Sequence, residues 1–358
     1  MIKEEKIDII ITTNAAGELA AWVKPVVIAI KKRLLHSRLI IVLTPSQFIT
    51  GYEYDYAKNL KGVDLIITSK DFRKILLRGK FPYIKADKGI ILSLGGDLIY
   101  PVLLKWRTRY PIFAYIEKRK QWARYIEAFF DRDNLGDLMV DSIKEKGLEI
   151  VKKHYDKSFT IALLPGSRAY HIKHMIPLLE KTADILADKY TNINFVWKLS
   201  PFIEENAIQE YSYNKKISIK KDFNNIDLAI TIPGTNTAQL AILGIPMLVV
   251  MPYNWPEDIP IEGAGELLSK IPLIGKLIKK ALFNILAPNI KYLALPNILA
   301  NENIVPELKG KLTAKDIAIA TEKILLDYNL RCSLQQKLPQ IMGPKGAAEK
   351  LVSEIINI

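Results

Sequence analysis

Short apolar runs alternate with longer amphipathic segments along most of this 358-residue chain. The first half carries five such runs, at residues 7–12, 39–43, 64–67, 89–94 and 112–115. A Lys- and Glu-rich segment, 141–154, predicts a helix that leads into a linker. The pattern then restarts with runs at 159–164, 193–199, 228–232 and 247–251. Strands that alternate with helices are typical of parallel, doubly wound sheets. We therefore predict an α/β protein with two similar halves.

The stretch from Asp227 to Val250 shows the repeating unit most clearly. Its first apolar run ends at Pro233-Gly234, the polar pair Thr235 and Asn236 follows, and a helix-like run leads to a second apolar run. This order predicts a βαβ unit whose turn lies at the carboxyl end of a strand, where open α/β sheets bind ligands. The first N–H groups of a helix suit a phosphate there. A plain turn, with glycine present for its backbone angles, explains the stretch equally well.

A second turn of the same kind strengthens the phosphate interpretation. The strand ending at Leu164 runs into Pro165, Gly166, Ser167 and Arg168, which add a hydroxyl and a guanidinium. Arginine can hold a phosphate through two parallel hydrogen bonds. Neither turn fits GxGxxG, and GxxxxGK[ST] is absent, so a dinucleotide oxidoreductase and a P-loop ATPase are disfavoured. A diphosphate lying between two strand ends is favoured instead.

Composition excludes several other classes. The single cysteine, Cys332, leaves no disulfide framework and no cysteine metal cluster. His171 and His174 are spaced for one helix face, but no third ligand is evident, so we predict no metal site and no cofactor. No signal peptide and no membrane-spanning run is predicted. The net charge of +13 indicates an acidic partner.

The motifs together resemble the lipid A disaccharide synthase family. Ala162 to Arg168 is similar to its donor-binding loop, and so is Gly234-Thr235 with the helix after it. The stretch from Leu295 to Leu308 resembles its third signature. The resemblance covers most of residues 130–330. It implies a GT-B fold, in which two Rossmann-like domains flank a cleft and the second domain binds a nucleotide-sugar. It also implies an inverting, metal-independent sugar transfer to a lipid-linked acceptor.

The resemblance assigns roles to individual residues. The diphosphate would be held by Gly166, Ser167, Arg168, Gly234 and Thr235, with Asn236 beside them. Asn297 and Glu307 would lie near the donor or shape its pocket. Gln239 replaces the family's Glu, a carboxylate that binds ribose in many GT-B enzymes, which puts the donor preference in question. Asp137 stands where the family has His, and the family's Trp-containing signature is incomplete.

An inverting transfer needs a carboxylate that accepts the proton of the acceptor hydroxyl. Asp97, after Gly95-Gly96 at a strand end, is the first candidate, although a turn aspartate that caps the next helix explains it equally well. Glu18, after Gly17 in the first glycine turn, is the second candidate. In that turn, residues from Asn14 to Gly17 would let an acceptor approach the backbone, although a tight connection explains them equally well.

The charge distribution favours a membrane surface over nucleic acid. One stretch, 267–301, has five lysines and no acid, and its apolar residues recur at helical spacing. We predict a basic amphipathic helix on an anionic membrane, although a core-packed helix with a solvated lysine face is the alternative. Its contact residues would be Ile274, Leu277, Ile278, Leu282, Phe283, Lys276, Lys279 and Lys280. A second basic cluster, interleaved with aromatic residues, runs from Lys105 to Arg124. No RNA- or DNA-binding motif accompanies it.

These observations predict a cytoplasmic glycosyltransferase, peripheral at the inner face of the membrane. Residues 1–145 would form the acceptor-side domain, residues 146–335 the donor domain, and residues 336–358 a C-terminal helix that packs back on the first domain. The partners would be a UDP-sugar, with an N-acylated glucosamine as in the family, a lipid-linked acceptor and an anionic membrane. A nucleotide-sugar 2-epimerase on the same fold and a non-catalytic nucleotide-binding membrane protein remain alternatives. The sequence does not fix the oligomeric state.

Overall fold

The fold is described from a computed structural model. It describes residues 7–46, 51–78, 83, 86–116, 120–144, 159–200, 203, 208, 210–213, 217–255 and 290–357. The chain divides into two compact units. Unit 1 comprises Met1–Gly147 with Gly343–Ile358, and unit 2 comprises Leu148–Met342. The predicted membrane-contact residues, from Ile274 to Phe283, lie outside the described residues.

Unit 1 is built on a parallel six-stranded sheet in the order β3-β2-β1-β4-β5-β6. Its strands are β1 (Ile7–Thr13), β2 (Arg38–Leu43), β3 (Leu65–Ile67), β4 (Lys88–Ser93), β5 (Ile112–Tyr115) and β6 (Ala128–Phe130). The central strands are buried on both faces, which is why they read as unbroken apolar runs. The chain builds outward from β1 to β3 and then restarts at β4 on the other side of β1. Ligands bind at such a switch point.

Helices cover both faces of this sheet. They are α1 (Ala16–Glu18), which continues through a π-helical turn (Leu19–Val23) into α2 (Lys24–Arg33), then α3 (Glu53–Lys58), α4 (Ser69–Arg78), α5 (Ile99–Thr108), a 3₁₀ helix (Lys120–Tyr125), α6 (Arg132–Leu135) and α7 (Leu138–Lys144). Pro25 lies within this helical segment and does not end it. The π-helical turn places Pro25 at the start of α2, where a missing N–H is tolerated.

Unit 2 repeats the architecture with a second parallel sheet, in the order β12-β11-β10-β7-β8-β9. Its strands are β7 (Phe159–Leu164), β8 (Ile193–Lys198), β9 (Ser218–Lys220), β10 (Leu228–Thr231), β11 (Met247–Pro252) and β12 (Glu307–Gly310). Its helices are α8 (Ala169–Lys189), α9 (Thr235–Ile242), α10 (Leu295–Ala300), α11 (Ala314–Leu326) and α12 (Tyr328–Met342). The switch point of this sheet lies between β7 and β10. Helix α8 begins at Ala169, directly after Arg168.

The last helix, α13 (Ala347–Asn357), packs within unit 1. Its apolar residues Leu351, Val352 and Ile355 join the core formed with β1, β2 and α2. The Asp141 carboxylate of α7 accepts hydrogen bonds from the N–H groups of Gly346 (2.6 Å) and Ala348 (2.7 Å). A buried carboxylate thus caps a helix that is about two hundred residues distant in sequence. None of the helices in the described part of the chain is long and apolar enough to cross a bilayer.

Candidate functional site

The two glycine turns of unit 2 are neighbours at the switch point. Strands β7 and β10 pair in parallel, with Leu164 opposite Thr231 at their carboxyl ends. The turns that follow these two ends therefore lie side by side, although they are far apart in sequence. Parallel strands with helices on both faces leave a crevice at this place, and the predicted diphosphate residues border it.

Gly166 allows a close approach that no other residue would permit. Its φ is +100°, and a Cβ at this position would lie 2.5 Å from Ile232 Cδ1 and 2.8 Å from His171 Nδ1. Both distances are below any normal van der Waals contact. The β7 turn is therefore packed directly against the end of β10 and the first turn of α8, which fixes its backbone before any ligand binds.

Arg168 stands at the mouth of the crevice. It is exposed, it occupies the N-cap position of the long helix α8, and its guanidinium forms a hydrogen bond with the Tyr170 side chain. Ser167, beside it, is also exposed. The site thus combines a hydroxyl, a guanidinium and the positive end of a helix of 21 residues. This combination suits an anion with several oxygen atoms.

An aromatic pocket opens next to these residues. The His174 and Trp255 rings stack with their centroids 4.4 Å apart, and the Tyr170 and His171 rings lie 3.9 Å apart. The remaining lining is mostly apolar and comes from Met175, Ile232, Pro233, Val250, Met251 and Pro252, with Arg168 at one side. A pocket of this kind takes an apolar or planar part of a ligand whose charged part lies at the arginine.

His171 is held neutral in this pocket. Its Nδ1 is buried and has no hydrogen-bond partner among the described residues, and burial together with the nearby Arg168 charge lowers the pKa of the imidazole to about 3. Sequence analysis considered His171 and His174 only as a metal pair. No cluster of three or more metal-ligating side chains exists among the residues described. Residues 170, 171, 174 and 175 recur at helical spacing and therefore lie on one face of α8, the face that lines the pocket. This spacing is the signal in the sequence that could have grouped them.

The second turn presents an open helix N-terminus. Gly234 is exposed with φ of +134°, and a Cβ there would meet nothing within 4 Å. Thr235 is exposed and Asn236 is partly exposed at the start of α9. Thr237, by contrast, is buried, and its hydroxyl donates to the Gly234 carbonyl (2.8 Å). The first N–H groups of α9 therefore face open space. Gln239 lies one turn further along the helix and is partly buried.

Asn297 and Glu307 shape the site and do not border it. Asn297 is fully buried, and its side chain bonds the Val305 carbonyl, the N–H groups of Ile304 and Val305, and the Glu307 carboxylate. Glu307 also accepts from the N–H groups ahead of α10. The Leu295 N–H then donates to the Thr237 hydroxyl (3.1 Å), which connects this network to the start of α9. This burial favours the second of the two predicted roles, in which the pair shapes the pocket.

Unit 1 gathers the acceptor-side candidates at its own switch point, between β1 and β4. The Glu18 Oε2 atom accepts from the Thr13 hydroxyl (3.0 Å) and from the N–H groups of Asn14 (3.1 Å) and Ala15 (3.3 Å). A Cβ at position 95 would lie 2.1 Å from this carboxylate, so the glycine turn after β4 rests directly on it. Burial raises the pKa of Glu18, against the effect of its hydrogen bonds. Glu18 therefore joins the two glycine turns of unit 1.

Asp97 differs from Glu18 in its exposure. It is exposed, and its Oδ1 accepts one hydrogen bond, from the Ile99 N–H (3.0 Å), at the start of α5. A Cβ at position 96 would lie 3.3 Å from the Asn14 amide, so these residues border one small area. Gly17 is partly buried within α1.

Comparison with known proteins identifies the relationship. The family model of lipid-A-disaccharide synthetase matches residues 126–255. The lipid-A-disaccharide synthase of Persephonella marina is 29% identical over 59% of this chain and 52% of its own length. The lipid-A-disaccharide synthase of Nitrosococcus oceani is 25% identical over 55% of this chain and 47% of its own length. The chain is a divergent relative of the lipid-A-disaccharide synthases. It spans about half the length of the curated relatives it matches, and the predicted resemblance is confirmed.

Solved structures establish the fold class. Acinetobacter baumannii MurG aligns over 98% of this chain and 100% of its own, with a TM-score of 0.54 and 11% identity. S. aureus MnaA, solved with UDP, aligns over 98% of this chain and 96% of its own, with a TM-score of 0.55 and 14% identity. The UDP-GlcNAc 2-epimerase of Methanocaldococcus jannaschii aligns over 99% of this chain and 100% of its own, with a TM-score of 0.56 and 12% identity. At these identities the likeness shows the fold alone. The predicted GT-B class with two Rossmann-like domains is confirmed.

The matched stretch includes one of the two candidate sites. Both glycine turns of unit 2, Arg168 and Gln239 lie within residues 126–255. Asp97 and Glu18 precede it, and Asn297 and Glu307 follow it. The family model therefore bears on the glycine turns of unit 2, and the candidates of unit 1 are characterised only by their own geometry.

Proposed function

We propose that this protein is a glycosyltransferase that uses a nucleotide-sugar, most simply a UDP-sugar, bound at the switch point of unit 2. One observation carries the proposal. Two glycine turns that are far apart in sequence lie side by side, and a helix follows each of them. An exposed arginine and an aromatic pocket adjoin the turns. All of these features lie inside the stretch that matches lipid-A-disaccharide synthetase. The matched relatives are named for sugar transfer, which supports this class of reaction.

In this proposal the diphosphate lies between the two turns. The N–H groups that begin α8 and α9 donate to its oxygen atoms, together with the Ser167 hydroxyl and the Arg168 guanidinium. As the sugar leaves, negative charge grows on the terminal phosphate, and the arginine and the helix ends stabilise that charge. These groups supply the positive charge that metal ions provide in other phosphate sites, so we propose a metal-independent transfer.

The acceptor hydroxyl needs a base, and we propose Asp97. In an inverting transfer the hydroxyl attacks the anomeric carbon from the face opposite the diphosphate, its proton passes to the carboxylate, and the bond to the diphosphate breaks. Asp97 is exposed and uses one oxygen for its single backbone hydrogen bond. The Glu18 oxygen is already occupied by three donors and lies beneath Gly95. This geometry favours Asp97 as the base and Glu18 as a support for the turn.

We further propose a lipid-linked acceptor, an N-acylated glucosamine as the transferred sugar, and a location at the inner face of the cell membrane. The names of the matched relatives and the net charge of +13 support this part. A nucleotide-sugar 2-epimerase is the alternative, because such enzymes share the fold at similar TM-scores. Release of UDP from a UDP-sugar only when a lipid acceptor is present would support transfer. A change of sugar configuration without a lipid would support the epimerase.

Calorimetry with UDP tests the donor site. Arg168→Ala should weaken UDP binding about 10- to 100-fold, because a hydrogen bond to a charged group contributes about 1.5–3 kcal/mol. Arg168→Lys should bind UDP with an affinity between those of the wild type and Arg168→Ala, since lysine keeps the charge but loses the paired hydrogen-bond geometry. Lys337→Ala, which removes an exposed cation from α12 in the same unit, is the control and should bind like the wild type. Unchanged UDP affinity in Arg168→Ala would show that the diphosphate assignment is wrong.

A further inference from the structure

Tyr170 lies beside the proposed diphosphate site, although it was not among the residues predicted to bind the donor. It is the second residue of α8 and therefore belongs to the first turn of that helix. The N–H groups of a first turn have no partners within the helix, and the Arg168 side chain, at the N-cap, does not cap them. Tyr170 is partly exposed and lines the same pocket as Arg168. An anion held at the start of α8 would thus have the Tyr170 side chain within its surroundings.

A hydrogen bond joins the Tyr170 hydroxyl to the Arg168 guanidinium. A guanidinium has donors and no acceptor, so the phenol oxygen accepts in this bond. The phenol also carries one O–H, which the bond to Arg168 does not use. A hydroxyl that accepts from a cation is polarised into a stronger donor, because hydrogen bonds in a chain strengthen one another. The two side chains together therefore offer an anion both guanidinium N–H groups and a phenol O–H.

Packing restrains the position of the Tyr170 ring. The Tyr170 and His171 rings lie 3.9 Å apart. His171 in turn packs against the β7 turn, since a Cβ at Gly166 would come within 2.8 Å of its Nδ1. The tyrosine, the imidazole and the glycine turn thus form one packed group. A donor that is held in place in this way loses little conformational freedom when a ligand binds.

Tyr170 is also in the protonation state that can donate at neutral pH. Burial raises the pKa of its phenol above the ordinary value, and the opposing effect of Arg168 is smaller. A neutral phenol donates to an anion without placing a negative charge beside it. The His171 imidazole next to it is neutral as well, because its pKa is about 3. Neither ring therefore adds a charge that would compete with the attraction between Arg168 and a phosphate.

We propose that Tyr170 is a further donor-binding residue, whose hydroxyl accepts an N–H from Arg168 and donates its own O–H to an oxygen of the nucleoside diphosphate. The inference rests on the proposed function, because it requires the diphosphate to lie beside Arg168. In this arrangement Tyr170 contacts the ligand directly and also holds the guanidinium in the orientation that meets it. A tyrosine that only formed part of the pocket wall would serve equally well without its hydroxyl.

Calorimetry with UDP on Tyr170→Phe tests this role, because the variant keeps the ring and removes only the hydroxyl. UDP affinity should fall about 10-fold, at the lower end of the effect of a hydrogen bond to a charged group. Its thermal unfolding should match that of the wild type. Unchanged UDP affinity would overturn the proposal.

Tyr213→Phe is the matched control. The Tyr213 hydroxyl donates to the Asp184 carboxylate (2.6 Å), so this variant also removes a tyrosine hydroxyl bonded to α8, at a place well beyond its first turn. It should bind UDP as the wild type does. An equal loss of affinity in Tyr213→Phe and Tyr170→Phe would contradict a contact at the diphosphate.

The double variant Arg168→Ala/Tyr170→Phe tests whether the two side chains act together. In the Arg168→Ala background, loss of the hydroxyl should cost about twofold or less, because the phenol no longer has the guanidinium that orients and polarises it. A 10-fold loss in both backgrounds would refute the paired contact. Unchanged affinity in Arg168→Ala would refute the diphosphate assignment itself, whereas a loss in Arg168→Ala with none in Tyr170→Phe would refute only the role of Tyr170.

Discussion

Acidification should destabilise unit 2 through His171. The imidazole is neutral when folded, with a pKa of about 3, whereas an unfolded histidine has a pKa near 6.5. Below pH 6.5 the unfolded state therefore binds a proton that the folded state does not bind. Titration of this group costs no stability above pH 6.5, and the cost grows as the pH falls from 6.5 towards 3.

The magnitude at pH 5 follows from the unfolded value alone. Protonation of the unfolded chain at pH 5 lowers the free energy of unfolding by about 2 kcal/mol relative to pH 7. Any folded pKa well below 5 gives nearly the same figure, so the result does not depend on its exact position. Burial beneath Gly166 and the Arg168 charge are the structural causes, because each of them disfavours the imidazolium.

His171→Phe removes the titration while keeping a planar ring of similar size. Urea denaturation of wild type and variant at pH 7 and pH 5, followed by hydrogen exchange in β7 peptides, reports unit 2 itself. The wild type should lose about 2 kcal/mol more than the variant between the two pH values. Other titrating groups cancel in this comparison, as does any constant packing cost of the phenylalanine.

His36→Gln, which removes an exposed histidine from unit 1, is the control and should follow the wild type in unit 2. Equal pH dependence in wild type and His171→Phe would refute the reasoning. It would mean that the folded protein admits a proton to His171, and that the pocket beside the β7 turn is open to water.

Asp97→Asn should leave UDP affinity unchanged in calorimetry and stability unchanged in denaturation, but it should abolish sugar transfer, measured as UDP release in the presence of acceptor. Retained transfer would exclude Asp97 as the base. Glu18→Gln should destabilise unit 1 by about 1–3 kcal/mol, because an amide nitrogen or a weaker acceptor then faces N–H donors. The difference in unfolding free energy between wild type and variant should be largest at low pH and shrink as the pH rises above 4.5, since folding raises the pKa of Glu18. Asp141→Asn should lower the stability of unit 1 by about 1–2 kcal/mol in thermal unfolding, because α13 loses its charged cap; an unchanged melting temperature would show that the cap contributes nothing.

The predictable part of the fold consists of the buried central strands. Strands β5 and β7 coincide with the predicted runs from end to end, because a strand covered by helices on both faces must be continuously apolar. The edge strands β6 and β9 were missed. Each has three residues and is only partly buried, so its sequence carries no comparable run. The capping box of α11, from Thr313 to Asp316, is also a local signal, because it joins residues only three positions apart.

The candidate site was predictable in its turns and not in its surroundings. Gly166, Arg168 and Gly234 are marked by their position directly after apolar runs. The burial of Asn297, by contrast, depends on contacts with a strand ten residues further on, and Trp255 reaches His174 only through the fold. No local pattern encodes these meetings.

By itself the sequence determined the class of the fold, the approximate positions of its strands and the two turns able to hold a diphosphate, because these depend on burial and on neighbouring residues. Only the tertiary structure decided that β10 lies beside β7 and that Gly95 rests on Glu18. Each of these depends on strand order and helix packing, which bring together residues that local sequence cannot relate.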